Sequence, residues 1–208
     1  MDLSLRGGPA GSTPRAIVSE LETLISELSS EDEARAARAL SQIPQHGEPA
    51  LEFLLNLLAS PEPDQRWWAI MALSSIDDPR ANKALIESLS DEDATVRQCA
   101  AAGLRQHPVP DAVPRLIETL GDEDRLLARL ASGALATAGS EAIPPLSQAM
   151  KSEVPQVRIE AARALGQTGD PDAIPTLFAA LNDTSAVVVH LAEVGLERLG
   201  VGMVFFRP

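Results

Sequence analysis

The stretch Val157-Arg-Ile-Glu-Ala-Ala-Arg-Ala-Leu165 decides the fold, because its pattern returns at a nearly fixed interval along the chain. Its apolar residues fall at i, i+4, i+7 and i+8, which places them on one face of an α-helix. A second short helical pattern follows at Asp172-Ala-Ile-Pro-Thr-Leu-Phe-Ala-Ala-Leu181, with aspartate as the predicted N-cap and proline in the opening turn. Proline is tolerated there because first-turn amides have no intrahelical partner. Within each unit a helix of the Asp172 type comes first and a helix of the Val157 type second, and the two together predict one helical hairpin.

On both sides of this stretch, equivalent apolar residues form three ladders that share the same spacing. One ladder, spaced by 31, 31, 30 and 31 residues, is Leu73, Leu104, Leu135, Leu165 and Leu196. The others are Leu54, Leu85, Leu116, Leu146 and Leu177, and Val96, Leu127, Val157 and Val188. A period of about 20–50 residues indicates stacked supersecondary units. We therefore predict an all-α fold, a right-handed α-solenoid of about six helical hairpins.

The repeat resembles a known family. The phrases Val157-Arg158, Ala161-Ala-Arg-Ala-Leu-Gly166 and Asp172-Ala-Ile-Pro175 are similar to HEAT-like repeats of the phycobilin-lyase type. The resemblance extends from about Ile17 to Gly200 and implies a HEAT-like fold, which serves many unrelated tasks. We accordingly expect a flexible N-terminal tail at residues 1–16, a repeat domain at 17–200 and an apolar C-terminal tail at 201–208.

Composition argues against several functional classes. The formal net charge is −13, from 30 acidic and 17 basic residues, and such a surface repels a nucleic-acid backbone. No apolar run approaches the length of about 18 residues that a membrane span needs. Cys99 is the single cysteine, so an internal disulfide is excluded and a reducing compartment is favoured. The sequence predicts a cytoplasmic protein that binds neither nucleic acid nor membrane.

Acidic turns separate the two helices of a unit, as at Ser90-Asp-Glu-Asp93, Gly121-Asp-Glu-Asp124 and Asn182-Asp183. Acidic residues at a helix start accept hydrogen bonds from free amides and complement the helix dipole. We interpret these turns mainly as caps, with a docking edge for a basic partner as the alternative. A ladder of arginines, Arg66, Arg97 and Arg158, is expected to pair with carboxylates of neighbouring turns, namely Asp64, Asp93 or Asp124.

The second helix of each unit also predicts a binding surface. With Val157 counted as position 0, positions 0, 4, 7 and 8 face the core, whereas positions 2, 5, 6 and 9 face away and form the concave wall of a HEAT-like array. Trp67 is the predicted anchor, because exposed aromatic residues are typical of interfaces; alternatively, Trp67 or Trp68 fills a seam with the first repeat. The predicted partner is a helix or extended segment, with acidic segments among the candidates. The candidate binding residues are Trp67, Trp68, Met71, Gln98, Arg105, Arg129, Arg163 and His190.

No pattern points to catalysis, a metal or a cofactor. His190 and Glu193 are spaced i, i+3 on one helix, but no second cluster accompanies them, and we interpret them as surface residues. Cys99 lies among alanines and is predicted to be a small buried residue rather than a nucleophile. The sequence thus favours a non-enzymatic scaffold that binds another protein. The resemblance implies an alternative, a phycobilin-lyase-like subunit or a chaperone that holds a tetrapyrrole-binding protein.

The C-terminal stretch Val201-Gly-Met-Val-Phe-Phe206 is unusually apolar. A terminal repeat ordinarily presents a polar outer face to solvent. We therefore expect this stretch either to fold back over the open end of the core or to insert into a partner or a second copy of the chain. Folding back is favoured, because an exposed apolar patch promotes aggregation.

Overall fold

The computed structural model describes residues 14–28 and 32–201, and in these ranges the chain forms twelve α-helices. They are α1 (Pro14–Leu28), α2 (Glu33–Gln42), α3 (Glu48–Leu57), α4 (Pro63–Leu73), α5 (Pro79–Ser88), α6 (Ala94–Gln106), α7 (Val113–Thr119), α8 (Arg125–Thr137), α9 (Ile143–Ala149), α10 (Pro155–Leu165), α11 (Ile174–Ala180) and α12 (Ala186–Arg198). Short 3₁₀ turns occupy Ile43–His46, Pro110–Ala112, Gly139–Ala142 and Pro171–Ala173. The predicted all-α class is confirmed.

The helices pair into hairpins that stack in chain order. Within a hairpin the odd-numbered helix comes first, and the even-numbered helix packs back against it. The second helices α4, α6, α8, α10 and α12 also pack on one another in succession, more extensively than the first helices do. This arrangement is the predicted α-solenoid. Helix α1 begins at Pro14, which lies within the segment that the sequence assigned to the N-terminal tail.

The leucine ladders form the core of the solenoid. Leu73, Leu135 and Leu165 are wholly buried, and Leu104 and Leu196 retain 1% exposure. Leu54, Leu146 and Leu177 of the second ladder are also wholly buried. The register inferred from the repeat is therefore the register of the fold, and burial of these side chains supplies its main driving force.

Small residues let the second helices approach one another closely. The Cα of Gly166, the C-cap of α10, lies so near α12 that a Cβ added at Gly195 would be 2.7 Å from it. Ser74 and Gly103 make a similar crossing, where a Cβ at Gly103 would lie 2.8 Å from the Cβ of Ser74. Such close approach explains why the second helices form the more tightly packed row.

This close packing corrects one prediction about the wall. Residues at position 5 were expected to face away from the core into a groove. The structure instead buries four of the five position-5 residues completely between neighbouring second helices, because position 5 faces the following repeat. The buried residues are Ile70, Ala101, Ser132 and Ala162. Glu193, in the last helix, has no following repeat and is exposed, whereas Ser74, Ala136 and Gly166 at position 9 are also buried.

Two of the three acidic turns cap helices as predicted, whereas α12, which follows Asn182-Asp183, has no side-chain cap. Asp93 Oδ1 accepts hydrogen bonds from the amides of Thr95 and Val96, at 2.8 and 3.2 Å. Asp124 caps α8 in the same way. Asp172, the predicted N-cap of the first helix in the last unit, does not cap α11, which has no side-chain cap. Asp170 instead caps the 3₁₀ turn that precedes α11, by accepting a hydrogen bond from the amide of Asp172 at 2.9 Å.

The arginine ladder joins successive repeats, but through carboxylates other than those predicted. Arg66 Nε and Nη2 donate to Asp91 at 2.9 and 2.8 Å. Arg158 forms the equivalent forked pair with Asp183 at 2.8 and 3.1 Å. Arg97 instead donates to the carbonyl oxygens of two residues in the acidic turn that precedes its own helix. The structural interpretation of the ladder thus holds, whereas the choice of Asp64, Asp93 or Asp124 as its partners was wrong.

The Arg158 guanidinium, together with the amide of Ser185, holds the pKa of Asp183 below its ordinary value despite partial burial. At Asp91, burial raises the pKa, but the hydrogen bonds from Arg66 and from the amide of Asp93 outweigh it and leave the pKa lowered. Both carboxylates therefore remain ionised at neutral pH, where they tie each turn to the preceding repeat.

Candidate protein-binding face

The side chains at positions 2 and 6 of the second helices form one continuous surface, which we name the second-helix face. Position 2 contributes Trp67, Gln98, Arg129, Ile159 and His190, and position 6 contributes Met71, Ala102, Gly133, Arg163 and Val194. All ten are partly or fully exposed. Six of the ten are apolar or small, so the face can take the backbone of another chain at close range.

A buried carboxylate lies at the middle of this face. Glu160 in α10 retains 3% side-chain exposure, and its Oε2 atom faces two guanidinium groups. Arg163 Nε lies 3.0 Å from Oε2, and Arg129 Nε, from the preceding repeat, lies 3.3 Å from the same atom. Two cations thus share one anion, which leaves a net positive charge at a site where Arg129 is 54% exposed.

The backbone beside this cluster joins α8 to α10. Ser132 Oγ donates to the carbonyl oxygen of Glu160 at 2.8 Å, in a wholly buried hydrogen bond. This bond fixes the relative position of the two helices and hence of the two arginines. Sequence reasoning missed Glu160, although one signal was available: position 3 is otherwise occupied by apolar residues, so a glutamate three residues before Arg163 stands out.

Arg105 adds a second positive charge to the same region. Its side chain lies across Gly133, since a Cβ at that glycine would be 3.2 Å from Arg105 Cδ and 3.5 Å from Nε. Gly133 is one helical turn after Arg129 in α8, so the two arginines lie on neighbouring parts of the face. Within residues 14–28 and 32–201, Arg105 forms no ion pair.

The two tryptophans differ in what they contact. Trp67, on the second-helix face, is partly buried and packs edge-to-face against Trp68, with ring centroids 4.5 Å apart. Trp68 points towards the first repeat and lines a groove of about 520 Å³ among α1, α3 and α4. The sequence pattern did not distinguish the environment of Trp67 from that of Trp68. Met71 is partly buried and packs against the hydrophobic core of the solenoid.

The remaining predicted residues are Gln98 and His190. Gln98 Nε2 donates to Asp124 Oδ2 at 2.8 Å, so this amide is engaged in joining two repeats. That bond, with the amides of Leu127 and Leu126, holds the pKa of Asp124 below its ordinary value. His190 is exposed on α12. The structure thus brings Arg105, Arg129 and Arg163 together, whereas His190 lies on the last helix.

Cys99 occupies the buried position that the sequence predicted. Its Sγ atom lies 3.8 Å from the carbonyl oxygen of Trp67, in the contact between α4 and α6. Burial raises the pKa of the Cys99 thiol to about 12. A thiol in this state carries almost no thiolate at neutral pH and is a poor nucleophile.

Among the residues that the structure describes, no three His, Cys, Asp or Glu side chains converge to hold a metal ion. Across the same ranges, no helix combines the length and hydrophobicity that crossing a lipid bilayer requires.

Comparison with known proteins concerns both the sequence and the fold. A family model for HEAT repeats matches residues 21–105, 82–142 and 113–197. No curated protein matches the chain. The solved structure of YibA from Escherichia coli has 18% sequence identity and a TM-score of 0.56, and the match covers 93% of this chain and 79% of that one.

Two other solved structures have lower TM-scores. An engineered protein has 24% identity and a TM-score of 0.48, with 88% of this chain and 97% of that one covered. The complex of CpcE and CpcF of phycocyanin lyase from Nostoc sp. PCC7120 has 22% identity and a TM-score of 0.49, covering 97% and 81%. At such identities the likeness concerns the fold alone.

Proposed function

Since this chain belongs to the family of HEAT repeats, we propose that it is a non-enzymatic scaffold that binds an acidic segment of a partner protein on its second-helix face. HEAT-type arrays present long surfaces formed by equivalent positions of successive repeats, and such surfaces suit extended or helical partners. The second helices pack more tightly than the first, which supports taking this face as the concave one.

The observation that carries the proposal is the charge at the centre of the face. The whole chain has a net charge of −13, yet Arg129 and Arg163 share one buried carboxylate, that of Glu160. Arg105 lies across Gly133, one helical turn after Arg129, and adds a further positive charge. Arginine forms forked hydrogen bonds with carboxylates, and a desolvated arginine is a frequent binding hot spot. A carboxylate of the partner would complete the coordination that Glu160 supplies only in part.

Neighbouring residues support the same orientation. Ala102 and Gly133 allow a partner backbone to approach, and Trp67 with Met71 offers an apolar contact at the N-terminal end of the face. We place the protein in the cytoplasm, where the reduced Cys99 thiol needs no protection from oxidation.

The test is quantitative affinity capture from the native host, with wild-type chain, Arg129→Ala and Arg115→Ala as baits. Arg129→Ala should preserve the fold, because Glu160 keeps Arg163 at 3.0 Å. Arg115 on α7 is a matched control, an exposed arginine that pairs with Glu118 away from the second-helix face. We expect the partner to bind wild type and Arg115→Ala, and its affinity for Arg129→Ala to fall by about tenfold or more.

A captured partner should then be checked for its acidic segment. Addition of the isolated segment should compete with the full partner for the wild-type chain. Equal binding to all three baits, or competition by a basic segment instead, would exclude the second-helix face as the contact surface.

A further inference from the structure

The row of second helices is incomplete at its N-terminal end. Helices α6, α8, α10 and α12 each pack extensively on the preceding second helix, but α4 has no comparable contact with α2 in the described residues. Helix α2 packs instead on α1 and on the 3₁₀ turn that follows it. The side of α4 that would meet a preceding second helix therefore borders an open groove.

The position of Trp68 indicates that the groove lies where a preceding second helix would otherwise pack. At position 3 of the other second helices, side chains face the preceding repeat: Cys99 contacts the backbone of Trp67, and Glu160 meets Arg129. Trp68 occupies position 3 of α4 and faces the groove. A large aromatic side chain is thus presented at a place where the rest of the array buries position 3 against a neighbour.

The lining of the groove defines the chemistry of its occupant. Ile25, Phe53, Leu57 and Trp68 form apolar walls, and the carboxylates of Glu22 and Asp64 lie at the margin. Its volume of about 520 Å³ accommodates several apolar side chains. The occupant should therefore combine bulky apolar residues with a positive charge.

We propose that residues 202–208 of a second copy of this chain bind in the groove. This segment, Gly202-Met-Val-Phe-Phe-Arg-Pro208, lies outside the described residues and has the required composition. Phe205 and Phe206 match the apolar walls, and Arg207 matches the acidic margin. The preceding residue, Val201, packs against the last repeat and bonds through its amide to the carbonyl of Leu196 at 2.9 Å.

The distance requires a second copy. Four helix-to-helix steps separate α12 from α4, and at 8–10 Å each they span roughly 32–40 Å. Seven fully extended residues reach only about 25 Å. The segment therefore cannot enter the groove of its own chain, and binding joins copies head to tail. This contact uses neither Arg105, Arg129 nor Arg163, so it is independent of the function proposed above.

Sedimentation velocity of the full chain over a wide concentration range tests the proposal, with intrinsic fluorescence as a local probe. The chain contains two tryptophans, Trp67 and Trp68, so its emission reports on the groove directly. We expect concentration-dependent association accompanied by a blue shift. Replacement of both Phe205 and Phe206 by serine should weaken association by at least about tenfold. The matched control is Phe178→Ser, which changes a 38% exposed phenylalanine on α11 and should leave association unchanged.

Exchanging the charges of Arg207 and Asp64 tests the acidic margin of the groove. Arg207→Glu should weaken association, and addition of Asp64→Lys in the same chain should restore it. A synthetic peptide of residues 199–208 should compete with association and shift the tryptophan emission. A chain that stays monomeric, association that survives the double serine variant, or a groove that does not bind the peptide because residues 1–13 of the same chain fill it would each overturn the proposal.

Discussion

Replacement of Gly195 by alanine should destabilise the last repeat, although alanine is the better helix former. A Cβ at this position would lie 2.7 Å from the Cα of Gly166 and 3.1 Å from Cδ1 of Leu177. The first of these atoms belongs to the main chain at the C-cap of α10 and cannot rotate away. Helix α12 would have to move from α10 by several tenths of an ångström, and the packing around Leu177 would loosen with it.

The magnitude follows from two opposing terms. Overpacking a tight contact lowers the free energy of unfolding by about 1–3 kcal/mol, whereas exchanging glycine for alanine inside a helix raises it by about 0.8–1 kcal/mol. Because the obstructing atom is main chain, the upper part of the first range applies, and the net loss should be about 1–2 kcal/mol. For a chain of this length, that corresponds to a melting temperature lower by about 2–8 °C.

The assay is urea unfolding followed by far-UV circular dichroism, with Gly133→Ala as the control. A Cβ at Gly133 would meet the exposed side chain of Arg105, which can move aside, so this variant should be as stable as wild type or more stable by up to about 1 kcal/mol. The same substitution thus has opposite signs at two helical glycines. A Gly195→Ala variant that equals or exceeds wild type in stability would refute the close α10–α12 crossing.

Three further outcomes are expected. Leu135→Ala should reduce the free energy of unfolding by about 2–5 kcal/mol, because Leu135 is wholly buried and a cavity remains; a loss well under about 1 kcal/mol would contradict the register. The pKa of Asp183 is lowered from its ordinary 3.8 by the Arg158 hydrogen bond, so its stabilisation is complete above that value and is lost as the pH falls through the lowered pKa. The urea midpoint should accordingly drop at acidic pH, and less steeply in Asp183→Asn. Cys99, whose pKa burial raises to about 12, should resist iodoacetamide in the folded chain and react once urea unfolds it; rapid alkylation of the native protein would show that the α4–α6 contact opens.

The class of fold and the register of its core were predictable from the sequence. Leu73, Leu135 and Leu165 could be assigned because a helix places residues on one face by local geometry, and repetition of that geometry tests each assignment several times. Capping by Asp93 and Asp124 was predictable for the same reason, since an N-cap bonds amides only two or three residues away. Burial of Cys99 followed from its alanine-rich surroundings.

The contacts between neighbouring repeats were not predictable from the sequence, because they depend on how the repeats pack in three dimensions. The partner of Arg66 is Asp91, 25 residues away, and that pairing depends on how far each hairpin is rotated against the next. The burial of position 5, the pairing of Glu160 with two arginines and the open groove beside Trp68 depend on the same relation. Side-chain periodicity within one helix describes a single repeat, whereas the separation and angle of neighbouring helices arise from the small residues at their crossings, such as Gly166 and Gly195, acting together along the array.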